Sequence, residues 1–314
     1  MNSIVYGPVP SRRLGRSLGI NNVLPKTCSY SCAYCQLGKT TIMQVKRQTF
    51  NDVQQIAQTV RDKIEQVKRK GEHIDYIAFV PDGEPTLDSD LGREINLLKP
   101  LGVKIAVITN ASLLWRDDVR RDLQQADWVS LKIDSVSEKT WRKVNRPHSS
   151  LRLEVILEGV LMFASGYKGE IATETMLIHE VNDSIEDIAR TADFLAELKP
   201  AKAYLAIPIR PPAVKHIKGA SAKVITAACD CFSNRLGNAE CLVGYEGTNF
   251  TSTGNVAADL LGITSVHPMR GEAVTRFLRK EGVGWELIEQ LMRDGLLTET
   301  TYQGKKFYAR KLTG

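Results

Sequence analysis

The chain has 314 residues, six cysteines, and 42 Lys/Arg against 36 Asp/Glu, which means one large domain, or a large one with a small one, and too few cysteines for a disulfide scaffold. No apolar run reaches membrane-span length and the opening NSIVYGPVPSRRLG has no apolar leader core, so a cytoplasmic protein with no membrane partner is expected. In that reducing setting clustered cysteines are metal ligands or redox groups before they are bridges. The net charge of +6 is uneven: residues 1–50 hold Arg12, Arg13, Arg16, Lys26, Lys39, Lys46 and Arg47 and no Asp or Glu, and the rest is close to neutral. Such a block either attracts an anionic substrate, nucleic acid included, or holds the N-terminal strand.

A strand is expected near 18–24. Helical spacing of apolar residues at 53, 56, 57, 60, 64 and 67 follows, with Asn51 as N-cap and Gly71 as stop. Strand YIAFV (76–80), a helix at 91–98, strand VKIAVIT (103–109), a helix at 115–125 and strand DWVSLKI (127–133) come next. Helices at 137–144 and 151–164, strand GEIATETML (169–177), a helix at 184–198 and strand KAYLAIP (202–208) complete six β-α units. Short apolar strands alternating with amphipathic helices predict a parallel sheet, and six units predict an open, partial (β/α)6 barrel over residues 1–215. Residues 216–265 read as a connecting segment, with a helix near 221–236 and an unassigned stretch at 237–265. From 266 to 314, a helix (270–281), a second from Trp285, and strands LLTETTY and KKFYARKL around Gln303-Gly304 form a winged-helix-like α+β unit.

The stretch CSYSCAYC places Cys28, Cys32 and Cys35 in a C-x3-C-x2-C spacing. Four thiolates complete an ordinary [4Fe–4S] cluster; three leave one iron open, and an open metal position is where chemistry happens. A zinc site would need a fourth ligand from elsewhere. Cys229, Cys231 and Cys241 have no cluster spacing and read as core or loop thiols.

The cysteine spacing with Tyr34 before Cys35, together with PDGEPTL after the second strand, resembles the radical S-adenosylmethionine (SAM) superfamily over about residues 10–215. Asp82-Gly83-Glu84-Pro85 is similar to that family's Gly-Gly-Glu-Pro element, with Asp82 replacing a glycine, which is tolerable if that backbone needs no positive φ. Together with NRPH (145–148) and HPMR (267–270), the motifs resemble the wyosine-synthase-like iron–sulfur oxidoreductases. The resemblance implies a [4Fe–4S] cluster on Cys28, Cys32 and Cys35 whose open iron takes the amino and carboxylate groups of SAM. Gly83, Glu84 and Pro85 would hold the amine and Tyr34 would lie near adenine. Thr109, Asn110, Asp134 and Glu174 are further SAM candidates. It also implies cleavage to methionine and a 5′-deoxyadenosyl radical, and a low-potential electron donor, flavodoxin or ferredoxin.

Parallel β/α folds gather their sites at the carboxyl ends of strands. Gly83, Glu84, Thr109, Asn110, Lys132, Asp134, Glu174, Thr175, Pro208 and Arg210 fall there, although any one of them could be a helix cap or loop polar group. Lys132 and Arg210, with Arg12, Arg13 and Arg16, are the candidate substrate contacts. Three functions compete: a radical SAM enzyme on RNA, tRNA in particular; one on a peptide or small metabolite; and a metal-cluster DNA-binding redox regulator, which has no need of the DGEP element. The 266–314 unit, with nine Lys/Arg and six Asp/Glu, is only mildly basic for a nucleic-acid wing.

Overall fold

The computed structural model describes residues 4–242, Phe250, Ser252 and 254–311. Strand β1 (Val5–Ser11) turns back antiparallel on β2 (Gly15–Ile20), which leads into the cysteine segment. Two short strands, β3 (Thr27–Cys28) and β4 (Ile42–Met43), pair within that segment. Helix α1 (Val53–Arg69) is capped by Asp52, whose side chain accepts from Gln54 N and Gln55 N. The expected cap, Asn51, instead donates to Asn22 O at 2.9 Å, because its neighbour already occupies the cap position.

The alternation then runs β5 (Tyr76–Phe79), α2 (Leu91–Leu98), β6 (Lys104–Thr109), α3 (Asp117–Leu123), β7 (Trp128–Lys132), α4 (Glu138–Asn145), α5 (Leu153–Gly166), β8 (Glu170–Met176), α6 (Ile185–Leu198), β9 (Lys202–Ala206), α7 (Ala222–Leu236) and β10 (Ala239–Leu242). One eight-stranded sheet has the order β1-β2-β5-β6-β7-β8-β9-β10, parallel from β2 onward. The six expected strands form a partial barrel. The sheet also runs past residue 215, because β10 adds a seventh parallel strand.

A period of two sorts the side chains of every strand. Ile77 and Phe79, Ile105 and Val107, Val129 and Leu131, and Ala203 and Leu205 face the helices and share the main core with Ile56, Val60 and Phe163. The opposite parity holds Ala78, Ala106, Ala172 and Ala206, a row of small side chains that keeps the lumen open, with Trp128, Tyr204 and Leu14 in the same cluster. Lys132 and Glu174 share that inward parity and are register partners across β7 and β8.

Helix α8 (Val256–Val266), β11 (Met269–Arg270), α9 (Gly271–Lys280), α10 (Glu286–Arg293), β12 (Leu297–Tyr302) and β13 (Lys305–Arg310) make a second unit, with sheet order β11-β13-β12. The two helices and the hairpin follow the expected order; Leu312, at the end of the expected last strand, lies outside the described residues, as do 243–249. Phe250, Met269, Phe277, Ile288 and Tyr308 form its own core, against which Val9 of β1 packs. Lys63–Asp259, Lys70–Glu281 and Lys280–Glu72 ion pairs tie it to the barrel. Among the described residues no helix is long and apolar enough to cross a membrane.

Cys229 of α7 and Cys241 of β10 are bonded to each other, with Cα atoms 6.5 Å apart. This corrects the reading of both as thiols: α7 packs back on β10, which brings together residues whose spacing gave no hint of pairing. Cys231 is free. Fully buried Phe232 sits in the main core, so Phe232→Ala should cost the full chain about 3–5 kcal/mol in urea unfolding. A loss below about 1 kcal/mol would mean that α7 is no part of that core.

Candidate active site

The cysteine segment is stapled to the end of β5 at its root. Lys26 N donates to Asp82 O at 2.7 Å, and Glu84 N donates to Thr27 O at 3.1 Å. A Cβ at Gly83 would collide with the Thr27 carbonyl oxygen, so glycine is required here by close approach rather than by backbone angle. Asp82 is not among the described residues with positive φ, which is why aspartate can replace glycine there.

Glu84 lies between the ends of β5 and β6. Its Oε1 accepts from Thr86 N (3.1 Å), Thr86 Oγ1 (2.6 Å) and Thr109 Oγ1 (2.6 Å), and its Oε2 accepts from Asn110 N (2.7 Å). Burial raises the Glu84 pKa against these hydrogen bonds, which favour the charged form. The carboxylate therefore laces the ends of β5 and β6 together. Three of these four donors sit on Oε1, and Oε2 accepts one.

Cys28, Cys32 and Cys35 are half-buried and unbonded. Tyr30 N and Asn110 Nδ2 donate to Cys28 Sγ, and Asn145 Nδ2 donates to Cys32 Sγ, each at 3.5 Å. Desolvation raises all three thiol pKa values; the Glu84 charge adds to this at Cys28 and the Asp134 charge at Cys32. Such thiols ionise when a cation takes them, with release of protons.

Asp134 anchors the middle of the loop. It accepts from Tyr34 Oη at 2.5 Å, Asn145 Nδ2 at 2.6 Å and Met176 N at 2.8 Å. The segment 144–148 pairs alongside, with Ser31 N donating to Asn145 O, Ala33 N to Val144 O and His148 N to Ser29 O. Asp134 and the Tyr34 hydroxyl thus position the cysteine loop, and Tyr34 also lines the cavity. Asn145 was missed as a site residue, and its place in the NRPH motif was the available signal.

Inside the barrel lies a cavity of about 240 Å³ lined by Arg12, Arg13, Lys132, Glu174 and Arg210 together with cluster-loop residues 34–37 and apolar strand residues. Lys132 Nζ stands 2.5 Å from Glu174 Oε1 and 4.9 Å from the Tyr34 ring centroid. Arg13 pairs with the other Glu174 oxygen. Burial alone would lower the Lys132 pKa, but the Glu174 and Asp134 carboxylates outweigh it and the net direction is up, so the side chain stays an ammonium. Glu174 is thereby an ion-pair partner in the cavity wall. Arg16 stands at the opposite end of β2, paired with Glu72. The β1–β2 hairpin places it at the amino end of β2, outside the cavity lining. Arg210 Nη1 donates to Gln36 Oε1 at 2.8 Å, and Arg210 Nη2 lies 2.9 Å from His267 Nε2, which links the cluster loop to the C-terminal unit.

The family model of the radical SAM superfamily matches residues 22–195, which span the cysteine loop, the DGEP turn and four of the six expected strands in full. The chain belongs to the radical SAM superfamily.

Three comparisons stand beside that match. A UPF0026 protein of Methanocaldococcus jannaschii is 46% identical over 312 residues, covering 99% of this chain and 97% of that one. An S-adenosylmethionine-dependent nucleotide dehydratase of Flammeovirga pacifica is 28% identical over 188 residues, 53% of this chain and 60% of the relative. The solved structure of TYW1 with a lysine-pyruvate adduct bound superposes with a TM-score of 0.55 at 16% identity, over 70% of this chain and 73% of that one, a likeness of fold. A radical SAM enzyme works with an iron–sulfur cluster and SAM, and the donor set here suits such a cluster. Three cysteines come from one loop, and N–H donors already face two of the sulfurs. Among the described residues no three His, Cys, Asp or Glu side chains close around a single-ion site.

Glu84→Ala would strand the donors of Thr86, Thr109 and Asn110 and should lower stability in urea by about 3 kcal/mol, the scale of one or two hydrogen bonds to a charged group. Asp82 is 2% exposed, and burial lifts its pKa to about 7. Its ionisation therefore costs stability as pH rises from about 4, its unfolded value, to about 7. Asp82→Asn should stabilise the apoprotein by up to about 4 kcal/mol at pH 8, a gap that closes as the pH falls below about 4. Urea titrations at the two pH values measure it.

Proposed function

We propose that this radical SAM enzyme binds a [4Fe–4S] cluster through Cys28, Cys32 and Cys35, cleaves SAM reductively, and abstracts hydrogen from a substrate seated in the barrel lumen. The observation that carries the reading is the cysteine loop itself, stapled by Gly83 and Thr27 to the carboxyl ends of the strands and opening onto the lumen. When bound, the cluster supplies a low-potential electron that breaks the sulfur–C5′ bond of SAM, giving methionine and a 5′-deoxyadenosyl radical.

The chain's own residues do the rest. Glu84 holds the ends of β5 and β6 rigid, so the backbone around Gly83 and Pro85 presents fixed groups to the SAM amine. Tyr34, clamped by Asp134, offers its ring to adenine, and Thr109 and Asn110 complete that rim. The lumen excludes water and stray hydrogen donors from the radical's surroundings. A small low-potential protein, flavodoxin or ferredoxin, is proposed as the electron source.

A small-molecule substrate is favoured over RNA. Arg13, Arg16 and Arg47 of the basic block are taken by Glu174, Glu72, and Asp118 with Asp122, so that charge is spent inside the fold and is not presented to a phosphate backbone. The name of the nucleotide dehydratase relative also points to a small substrate.

Anaerobic reconstitution should yield about four irons per chain, and dithionite-reduced protein should convert SAM to 5′-deoxyadenosine and methionine. Alanine at Cys28, Cys32 and Cys35 together should abolish both the iron and the brown absorbance. A full iron complement in the triple variant, or reduced wild type that yields no 5′-deoxyadenosine, would reject the assignment.

A further inference from the structure

The Cys229–Cys241 bond ties the last strand of the barrel sheet to the helix before it. β10 has four residues, and among the described residues it pairs with β9 alone. Glu240 is exposed, Ala239 and Cys241 are half-buried, and only Leu242 is buried, so little besides the bond holds the strand in place. Helix α7 is better anchored, because Ala228 and Phe232 are fully buried in the main core. Register explains why the sulfurs meet. Cys241 stands opposite Leu205, whose side chain faces the helices, and the same parity turns Cys241 toward α7. The bond spans a separation of 12 residues, and closing such a loop withdraws chain entropy from the opened state.

Two observations set this link apart from a permanent brace. Cys229 and Cys241 are both half-buried, not sealed in the core, and exposure is what lets a thiolate reach a disulfide. The cluster also needs Cys28, Cys32 and Cys35 as free thiols, and free they are. The chain therefore works where thiols stay reduced, and there disulfides are transient or redox-sensing. Cys231 is no rival partner: its Sγ meets Arg235 Nη1 at 3.1 Å, and residues two apart on a helix do not face each other.

We propose that Cys229 and Cys241 are a reversible redox site, a latch that fixes β10 to α7 when oxidised and releases it when a dithiol reduces it. A thiolate of the dithiol attacks one sulfur and displaces the other, giving a mixed disulfide. The second thiol of the dithiol then displaces the remaining protein sulfur. Cys229 and Cys241 end as two thiols, having taken two electrons and two protons from the dithiol, which leaves as a disulfide; the same steps in reverse close the latch. β10 ends at Leu242, in the lumen-facing cluster with Tyr204 and Ala206, so the latch sets how firmly that side of the barrel is closed. The inference rests on the cluster reading only for the reducing setting.

The test equilibrates the folded, full-length apoprotein without urea in varied ratios of reduced to oxidised dithiothreitol, traps thiols with iodoacetamide and maps them peptide by peptide. Cys229 and Cys241 should pass together from bonded to alkylated, and return when the ratio is reversed. Amide hydrogen exchange in β10 should quicken about a hundredfold on reduction, the scale of the loop-closure entropy given back, while exchange in β5 holds steady. The double variant Cys229→Ser with Cys241→Ser should exchange fast at every ratio, and Cys231→Ser should match wild type; the wild-type titration decides even where the double variant does not fold. A bond that opens only in urea is a fixed brace and overturns the proposal. So does a bond that does not re-form, one that maps to Cys231, or β10 exchange that is equal in the two states. Iron binding and 5′-deoxyadenosine formation are scored apart: their failure would sink the cluster reading and leave the thiol titration standing.

Discussion

The contact on which the site depends is the approach of the Thr27 carbonyl to Gly83. It presses the root of the cysteine segment onto the end of β5 so closely that no side chain fits between them, and the Glu84 N–H then closes a hydrogen bond to the same oxygen. Once that staple is made, the Glu84 carboxylate lies between β5 and β6 and gathers Thr86, Thr109 and Asn110. Asn110 in turn reaches Cys28 and Ser29. A second anchor, Asp134, holds the far side of the loop through Tyr34 and Asn145. A three-cysteine loop is long and, alone, expensive in conformational entropy. Two buried carboxylates, each with most of its acceptor capacity engaged, hold it in one arrangement.

This changes the meaning of the acidic residues at the strand ends. Position alone makes Glu84, Asp134 and Glu174 look alike: carboxylates at or near the carboxyl ends of parallel strands, where ligands bind. Their partners separate them. Glu84 and Asp134 are braces with backbone and side-chain donors around them. Glu174 faces the lumen and meets two cations. The basic block divides in the same way. Arg16 and Arg47 serve packing at the barrel's edges, whereas Arg13 threads inward to the cavity.

Much of the fold was legible in the residues. The period-two strands and the 3.6-residue helices of 53–206 fall within a few residues of their expected bounds, because each element buries a face wide enough to leave a periodic trace. Strands β1 and β10 were not read: one carries a glycine and two prolines, the other is four residues long, and pairing along the edge of an existing sheet needs little apolar periodicity. The cysteine loop was legible because its chemistry demands a fixed spacing. The role of Asn145 was not, because a side-chain amide between Asp134 and Cys32 is a contact between segments that no local pattern records.

The sequence by itself determined the element order, the parallel sheet, the three thiols and the glycine that lets them dock, since these follow from periodicity, composition and the steric needs of single residues. Only the tertiary structure decided which carboxylates brace and which face the cavity, that Arg13 enters the lumen while Arg16 leaves it, and that Cys229 meets Cys241. Those outcomes depend on where distant segments meet. An ion pair spanning 161 residues, such as Arg13 with Glu174, is set by sheet closure and strand parity rather than by any pattern along the chain.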